Sequence, residues 1–433
     1  MKNGSARYVV VGNSVAAVAA VEAIRELDEA GSVIMISREA RPIYSRPLIP
    51  YWLAGKVDDR RMAWRPREFH EEHRVRALLG AEAVKLDAGK HALELADGGK
   101  VGYEKLLLAT GGAPVIPEIA GRDAAGVFTF TEWADAERVK AFIAERKVRR
   151  AVVVGAGMIG VKAAEALAKL GIGCTVVELA GRVLAAALDE PAARLAEAAM
   201  RKAGVEVRCS SEVERVIARE RHVAGVRLAG GEELACELVI LAVGVVPNAA
   251  LARSTAGAVE VDRGILVDDL MRTSAPDVYA AGDVAQAREA LSGIRRAVPI
   301  WPGAHRQGRI AGRGMAGAEP ESYEGALAMN AVSVFGLATV SVGLAAQPVE
   351  GAEVLVWARA EPPAYKKVVL KDGKVVGAVL VGDIDRAGIF TGLIRSGIDV
   401  TAVKPLLLTE EFGVLALPAD YRKHVVSGAG IEV

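Results

Sequence analysis

The sequence predicts an α/β protein made of two βαβ units, each opening on a glycine turn, with an α+β section at the carboxyl end. Three observations predict this. A β-branched run, Val152 to Val154, feeds Gly155, Gly157 and Gly160, and an apolar helical pattern follows. A looser copy stands near the amino terminus, where "RYVVVGNSVAAVAAVEAIREL" keeps Gly12. Near the other end, "YKKVVLKDGKVVGAVLVGD" reads as a hairpin turning at Asp372-Gly373, and "RAGIFTGLIRSGID" as a helix. A chain of 433 residues suits about three domains. Its 46 glycines and 52% apolar content suit glycine-punctuated α/β layers.

In the second unit, Gly155 permits the tight turn and Gly157 lets backbone approach a pyrophosphate. Gly160 lets helix and strand pack closely. Backbone from Gly157 through Met158, Ile159 and Gly160 then presents the positive end of a helix to a diphosphate. A second strand, "CTVVE", ends at Glu178, with Arg182 shortly after. A carboxylate there accepts hydrogen bonds from a ribose 2′-hydroxyl and repels a 2′-phosphate, which favours NADH over NADPH. The alternative makes Glu178 a strand-end surface charge. Strand, helix, second strand and terminal acid together identify an NAD-binding unit, with Arg182 a further candidate contact.

The first loop is degenerate. Ser14 and Ala17 stand where the second and third glycines would be. A small third residue is permitted, whereas Ser14 crowds the phosphate approach. A second strand, "SVIMIS", leads to Ser37, Arg38 and Glu39. Three later segments add weight: "LLLATGGAP" with Thr110 and Gly111, "LAVGVVPN" with Gly244, and "TSAPDVYAAGDVAQ" with Gly282 and Asp283. Each is a short apolar strand ending in glycine or aspartate. Asp283 suits a sugar-like chain of hydroxyls. Singly, each segment is equally an ordinary strand-to-loop turn.

Composition bounds the function. Net charge is zero at pH 7, which implies no nucleic-acid or membrane-surface partner. Clusters such as Lys147, Arg149, Arg150 and Arg295, Arg296 read as solvated surface or as a docking patch for an acidic protein. No segment has the length of a transmembrane span, and Gly12 with Glu22, Arg25 and Glu26 argues against a signal peptide. A cytoplasmic location is expected. The three cysteines, Cys174, Cys209 and Cys236, form no CxxC and no cluster for an iron–sulfur centre or zinc. Cys174 falls in an expected buried strand. His70 and His73 have helical ligand spacing, but nothing completes a metal site, so they read as surface polar residues.

Taken together, these motifs resemble the FAD- and NAD(P)-dependent pyridine nucleotide-disulfide oxidoreductases. The nearest branch holds rubredoxin and ferredoxin reductases, NADH oxidases and the flavin part of assimilatory nitrite reductases. The resemblance includes "PIYSRPLIPYWLAGK" and "WPGAHRQGRIAGRGMAG" and runs through nearly all of the chain. It implies two Rossmann-like dinucleotide-binding domains, for FAD and for NAD, plus a C-terminal α+β interface domain. Flavin domain residues are 1 to about 113 and 243 to 325; the nicotinamide domain spans 114–242 and the interface domain 326–433.

The resemblance also implies roles. Glu39 matches the acid on the adenosine ribose, with Ser37 the weaker candidate. Arg46 and Pro47 match a pair lining the flavin, Thr110 and Gly111 the ATG turn, and Asp283 the ribityl-binding aspartate. Tyr51 stands where some ferredoxin reductases place a lysine. Lys162, where many relatives have glutamate, reads either as a cation near flavin N5 that favours reduced flavin, or as a solvent-facing helix lysine. After "IWPG", Pro302 and Gly303 suit a helix start aimed at the flavin N1–C2=O edge. Trp301 reads as a shield for the ring or as core.

Relatives that reduce disulfides carry a redox cysteine in the stretch where Ser45, Arg46 and Pro47 stand here. Flavin is then the only redox centre expected. Hydride transfer needs nicotinamide C4 at roughly 3–3.5 Å from flavin N5. The expected function is electron exchange between NADH/NAD⁺ and an iron–sulfur protein or subunit, in either direction. Similar flavoproteins serve as NADH-facing subunits in carbon monoxide dehydrogenase and tungsten aldehyde oxidoreductase systems. A homodimer and a hetero-complex subunit are both compatible. The alternatives are an NADH oxidase using oxygen and a redox-sensing interaction module; disulfide reduction ranks last.

Overall fold

The computed structural model describes residues 4–417 and residue 422. The chain divides into two compact units. The first holds the residues up to Val115, Thr131–Glu137 and Gly244–Leu327; the second holds Ile116–Phe130, Arg138–Val243 and the chain from Ala328 onward.

A parallel sheet forms the centre of the first unit. Strand Gly4–Val11 lies between Val33–Ser37 and Lys100–Leu108, with Val10 opposite Met35 on one side and Leu107 on the other. Val75–Leu79 extends the sheet beyond Val33–Ser37, and Val278–Ala280 pairs with the last residues of Lys100–Leu108. Antiparallel Ala92–Leu95 pairs with the first residues of that same strand, and Ala83–Asp87 lies beyond it in the sheet. Tyr8, Val9, Val10 and Leu106 to Leu108 are buried without alternation, as strands covered on both faces must be.

Helix Val15–Arg25 is alanine- and valine-rich because it is buried nearly all round. Helix Trp301–Met315 lies across it. A Cβ at Gly308 or Gly312 would overlap the backbone of Ala16 or Ala20, so only glycine admits so close a crossing. The expected start of this helix, at "WPG", is where it begins.

The second unit carries a parallel sheet in the order Glu206–Arg208, Gly173–Val177, Arg150–Val154, Leu238–Leu241, Val127–Thr129. Cys174 is buried in it, as expected. The unit also holds a five-stranded antiparallel sheet in the order Met329–Val334, Leu337–Gly343, Lys374–Val381, Ala364–Lys371, Glu353–Arg359. The hairpin in it turns on Asp372 (φ 50°) and Gly373 (φ 72°), the two positive values a type I′ turn requires. The helix read in "RAGIFTGLIRSGID" spans Ala387–Ser396.

Asp189 joins these parts. It caps helix Glu190–Lys202, and its carboxylate accepts from Tyr365 OH at 2.7 Å and pairs with Lys367 Nζ at 3.2 Å.

Candidate cofactor sites

In the first unit the strand order changes direction between Gly4–Val11 and Lys100–Leu108. Ligands of open α/β sheets bind outside the carboxyl ends of the strands at such a point. Gly12, Thr110 and Gly282 follow those ends, and Ser37 is the last residue of its strand. Gly12 has φ 136°, its N–H donates to Ile36 O at 2.8 Å, and a Cβ on it would overlap Ala109 O. Ser14 is the extended N-cap of helix Val15–Arg25, and its hydroxyl makes no cap bond. No acidic side chain sits in that helix's first turn, and Ala17 is fully buried.

Asn13, Ser14, Ser37, Glu39, Arg41, Pro42, Tyr44 and Arg46 line one cleft. Ser37 Oγ bonds the Glu39 backbone at 3.2 Å. Glu39 accepts from Tyr44 OH at 2.6 Å and is ion-paired with Arg46, which also donates to Thr131 O at 2.9 Å. Pro47 follows, exposed, in the turn Arg46–Leu48. Asn13, Arg41 and Tyr44 were not singled out from sequence. Asn13 bridges Arg41 O and His70 Nε2, each at 3.1 Å. The histidines are therefore not bare surface polar groups: His70 is half-buried on Asn13, and His73 bonds Phe69 O at 2.9 Å.

Past the end of strand Lys100–Leu108, Thr110 Oγ1 donates to Asn248 O at 2.7 Å, and Asn248 N–H donates to Gly111 O at 2.9 Å. Gly244 O accepts from Val115 N–H at 3.0 Å. Gly282 N–H is held at 2.8 Å by the buried side chain of Gln307. Next to it, the Asp283 carboxylate has no protein hydrogen bond among the described residues. Burial raises its pKa above the usual range, against the opposing charge of Arg46. An unsatisfied, mostly desolvated carboxylate at a strand end is what a chain of hydroxyl donors would complete. Trp301 is half-buried and edge-on to Trp64, ring centroids 5.0 Å apart, so it packs against the core while keeping an exposed part.

The second unit repeats the first turn bond for bond. Gly155 N–H donates to Val177 O at 2.7 Å, and Val161 N–H donates to Gly157 O at 2.9 Å, as Val18 does to Ser14. Gly155 has φ 103°, and a Cβ there would overlap Ala242 O. A Cβ on Gly160 would overlap Gly155 O, whereas one on Gly157 meets nothing. The close helix–strand contact and the open approach read from sequence are thus both geometric facts. Gly157 is exposed, and Met158 and Ile159 are half-exposed at the helix start. The Glu178 carboxylate accepts from Ala156 N–H at 2.5 Å and Ala180 N–H at 2.7 Å, so it belongs to the loop and is not a loose surface charge. Arg182 instead clamps its own loop, donating to Leu188 O at 3.0 Å and Ala185 O at 3.3 Å.

Lys162 does not face solvent. Its Nζ lies 2.5 Å from Glu165 Oε2 and 3.2 Å from Ser333 O, and both residues are 7% exposed. All three cysteines lie in this unit and are free; burial pushes the Cys174 and Cys236 thiols up to about 12. Among the described residues no group could hold a metal ion, and no helix is long and apolar enough to cross a membrane. Of the two basic clusters, Arg150 pairs with Glu237, and Arg295 and Arg296 remain exposed near Asp269 and Glu289.

A model of the pyridine nucleotide-disulphide oxidoreductases matches residues 6–308, and one of the rubredoxin NAD+ reductase C-terminal domain matches residues 329–398. The epsilon subunit of NADH-dependent phenylglyoxylate dehydrogenase from Aromatoleum evansii is 36% identical over 413 residues, 94% of this chain and 96% of that one. An NADH oxidase of Methanocaldococcus jannaschii is 30% identical over 396 residues, 87% of each. The NAD-dependent persulfide reductase of A. fulgidus superposes with a TM-score of 0.84 at 26% identity, covering 96% of this chain and 81% of that one. This chain belongs to the pyridine nucleotide-disulphide oxidoreductase family, and it is an oxidoreductase that binds FAD and NAD(H).

Proposed function

We propose that the chain exchanges electrons between NADH and an iron–sulfur protein or subunit, as the NADH-facing flavoprotein of a larger oxidoreductase. The carrying observation is chemical. The unit assigned to FAD contains no cysteine, and Ser45, Arg46 and Pro47 occupy the stretch where disulfide-reducing relatives hold theirs. Two of the three thiols elsewhere are buried, and burial raises all three pKa values, which removes thiolate character. FAD, when bound, takes a hydride from NADH and can release electrons singly. The likeness to an epsilon subunit, over nearly the whole of both chains, supports a place in a hetero-complex.

On this reading, residues 1–113 and 243–325 form the flavin domain, 114–242 the nicotinamide domain and 326–433 the interface domain. Gly12, Ser14 and Ala17 bring backbone N–H groups to the FAD diphosphate. Ser37 and Glu39 take the adenosine ribose, with Tyr44 and Arg46 holding the Glu39 carboxylate in place. Asp283 accepts from ribityl hydroxyls, Thr110 and Gly111 shape the strand-end turn, and the amino end of helix Trp301–Met315 offers positive charge to the ring. Gly155 to Gly160 receive the NADH diphosphate and Glu178 its ribose. Lys162, paired with Glu165, is assigned as the cation near flavin N5 and the nicotinamide that favours reduced flavin.

The test begins without oxygen, and the reduced protein is then mixed with a one-electron dye or with oxygen. NADH should bleach the flavin spectrum of the C174S/C209S/C236S protein as it does the wild type, and a one-electron dye should restore it faster than oxygen does. A flavin unchanged by NADH overturns the reading. Faster reoxidation by oxygen favours an NADH oxidase, the activity named for the Methanocaldococcus relative.

A further inference from the structure

The cleft assigned to the ADP half of FAD has walls from two separate stretches of chain. One is the phosphate turn, with Asn13 and Ser14; the other is the segment from Glu39 to Arg46. The second wall is anchored to the residues around Trp133. Arg41 pairs with Glu137 and lies over the Trp133 ring, 4.7 Å from its centroid. Tyr44 OH accepts from Trp133 N–H at 3.2 Å, and Arg46 donates to Thr131 O at 2.9 Å. The first wall lacks one usual support, because the Ser14 hydroxyl makes no cap bond.

The Asn13 side chain joins the two walls. Its Nδ2 donates to Arg41 O at 3.1 Å, across 28 residues of chain. A backbone carbonyl only accepts, so the amide nitrogen must face it and Oδ1 must face the other way. There Oδ1 meets His70 Nε2 at 3.1 Å, so that ring nitrogen must carry a proton. Burial, then the charge of His73, lowers the pKa of His70, which keeps the ring neutral at pH 7 with its proton on Nε2. A flipped amide would set its oxygen against Arg41 O, acceptor against acceptor. The turn of the second unit has no such device. Ala156 stands there between Gly155 and Gly157, and its N–H is held by the Glu178 carboxylate at 2.5 Å. That difference matches the two ligands: NADH must leave after each hydride transfer, whereas FAD stays.

We propose that His70 is a positioning residue for FAD. By donating from Nε2 it holds the Asn13 amide as a clasp, which ties the phosphate turn to the Glu39–Arg46 wall and slows release of the bound cofactor. His70 acts through Asn13. The proposal rests on the reading that places FAD in this cleft.

The test is the rate at which the holoprotein loses FAD, read as flavin passing an ultrafiltration membrane over time. H70F keeps a ring but no donor and should release FAD about fivefold faster or more; N13A, which removes the clasp itself, should do so about tenfold faster or more. In H70Q the side-chain amide can donate from about where Nε2 stood, so release should return to within about twofold of the wild-type rate. H70F/N13A should release FAD no faster than N13A, since His70 then has nothing to orient. A histidine that only packs would give additive losses and no rescue by glutamine. Release from H70F at the wild-type rate, or additive losses in the double variant, overturns the clasp. The reading beneath it fails differently: FAD held by D283N as firmly as by the wild type would remove the flavin from these strand ends altogether.

Discussion

Replacing Lys162 with methionine removes the ammonium that lies 2.5 Å from the Glu165 carboxylate, in a place where both side chains are less than a tenth exposed. Breaking a buried pair from one side leaves an uncompensated charge, at a cost of about 3–5 kcal/mol, whereas replacing both partners by apolar groups of similar volume is often neutral or better. K162M should therefore lower the unfolding free energy of the apoprotein by about 3 kcal/mol or more, read from urea denaturation followed by circular dichroism. K162M/E165L should recover most of that loss, giving a coupling energy of about 3 kcal/mol between the two sites. The Ser333 carbonyl, 3.2 Å from Nζ, loses a donor in both variants, so that loss cancels in the comparison. If K162M unfolds within about 0.5 kcal/mol of the wild type, the pair is solvated and the reasoning fails.

Other consequences can be checked directly. G155A puts a Cβ into Ala242 O at a positive φ, which costs at least about 1–2 kcal/mol. NADH should then bind about tenfold more weakly or worse, by titration of flavin bleaching, while FAD stays bound; equal loss of FAD would contradict the assignment of this turn to NADH. D283N should bind FAD about 10- to 100-fold more weakly, through the loss of bonds to a charged acceptor, read by fluorescence titration of the apoprotein. The same change should alter how the apoprotein responds to pH. Burial raises the folded pKa of Asp283, so the native state binds the proton more readily, and the group's contribution falls as pH rises from the unfolded to the folded value. Apo-D283N should lack that fall and be the more stable of the two at neutral pH; a parallel pH profile would refute this. E178R removes the carboxylate from the second turn and supplies a phosphate partner, so the NADPH-to-NADH ratio of kcat/KM should rise about a hundredfold in steady-state assays; an unchanged ratio would remove Glu178 from the ribose site.

The backbone of both turns was legible because it depends on local chemistry. Gly12 and Gly155 sit at positive φ directly after β-branched strands, and Asp372-Gly373 closes a hairpin between alternating strands, so a few neighbouring residues suffice. The side-chain networks were not legible, because they join distant segments. Nothing in the sequence links Arg46 to Thr131 O, Gln307 to Gly282 N–H, or Asn13 to both Arg41 and His70. Lys162 shows the division within one side chain. Its position two residues past Gly160 is plain in the sequence, and so is Glu165 one turn on, but its burial depends on Ser333, which arrives from the C-terminal section. The bonds that Arg182 makes to Leu188 O and Ala185 O were not legible either, because they depend on how its own loop folds back.

The glycine seam between helices Val15–Arg25 and Trp301–Met315 makes a lever of the first unit. One helix begins at the degenerate phosphate turn and the other at Trp301, and with Gly308 and Gly312 seated against Ala16 and Ala20 neither can slide without the other. Any enlargement along that seam, even a methyl group, is transmitted to the amino ends of both helices together. Stretches of sequence nearly three hundred residues apart thus answer to a single mechanical fit.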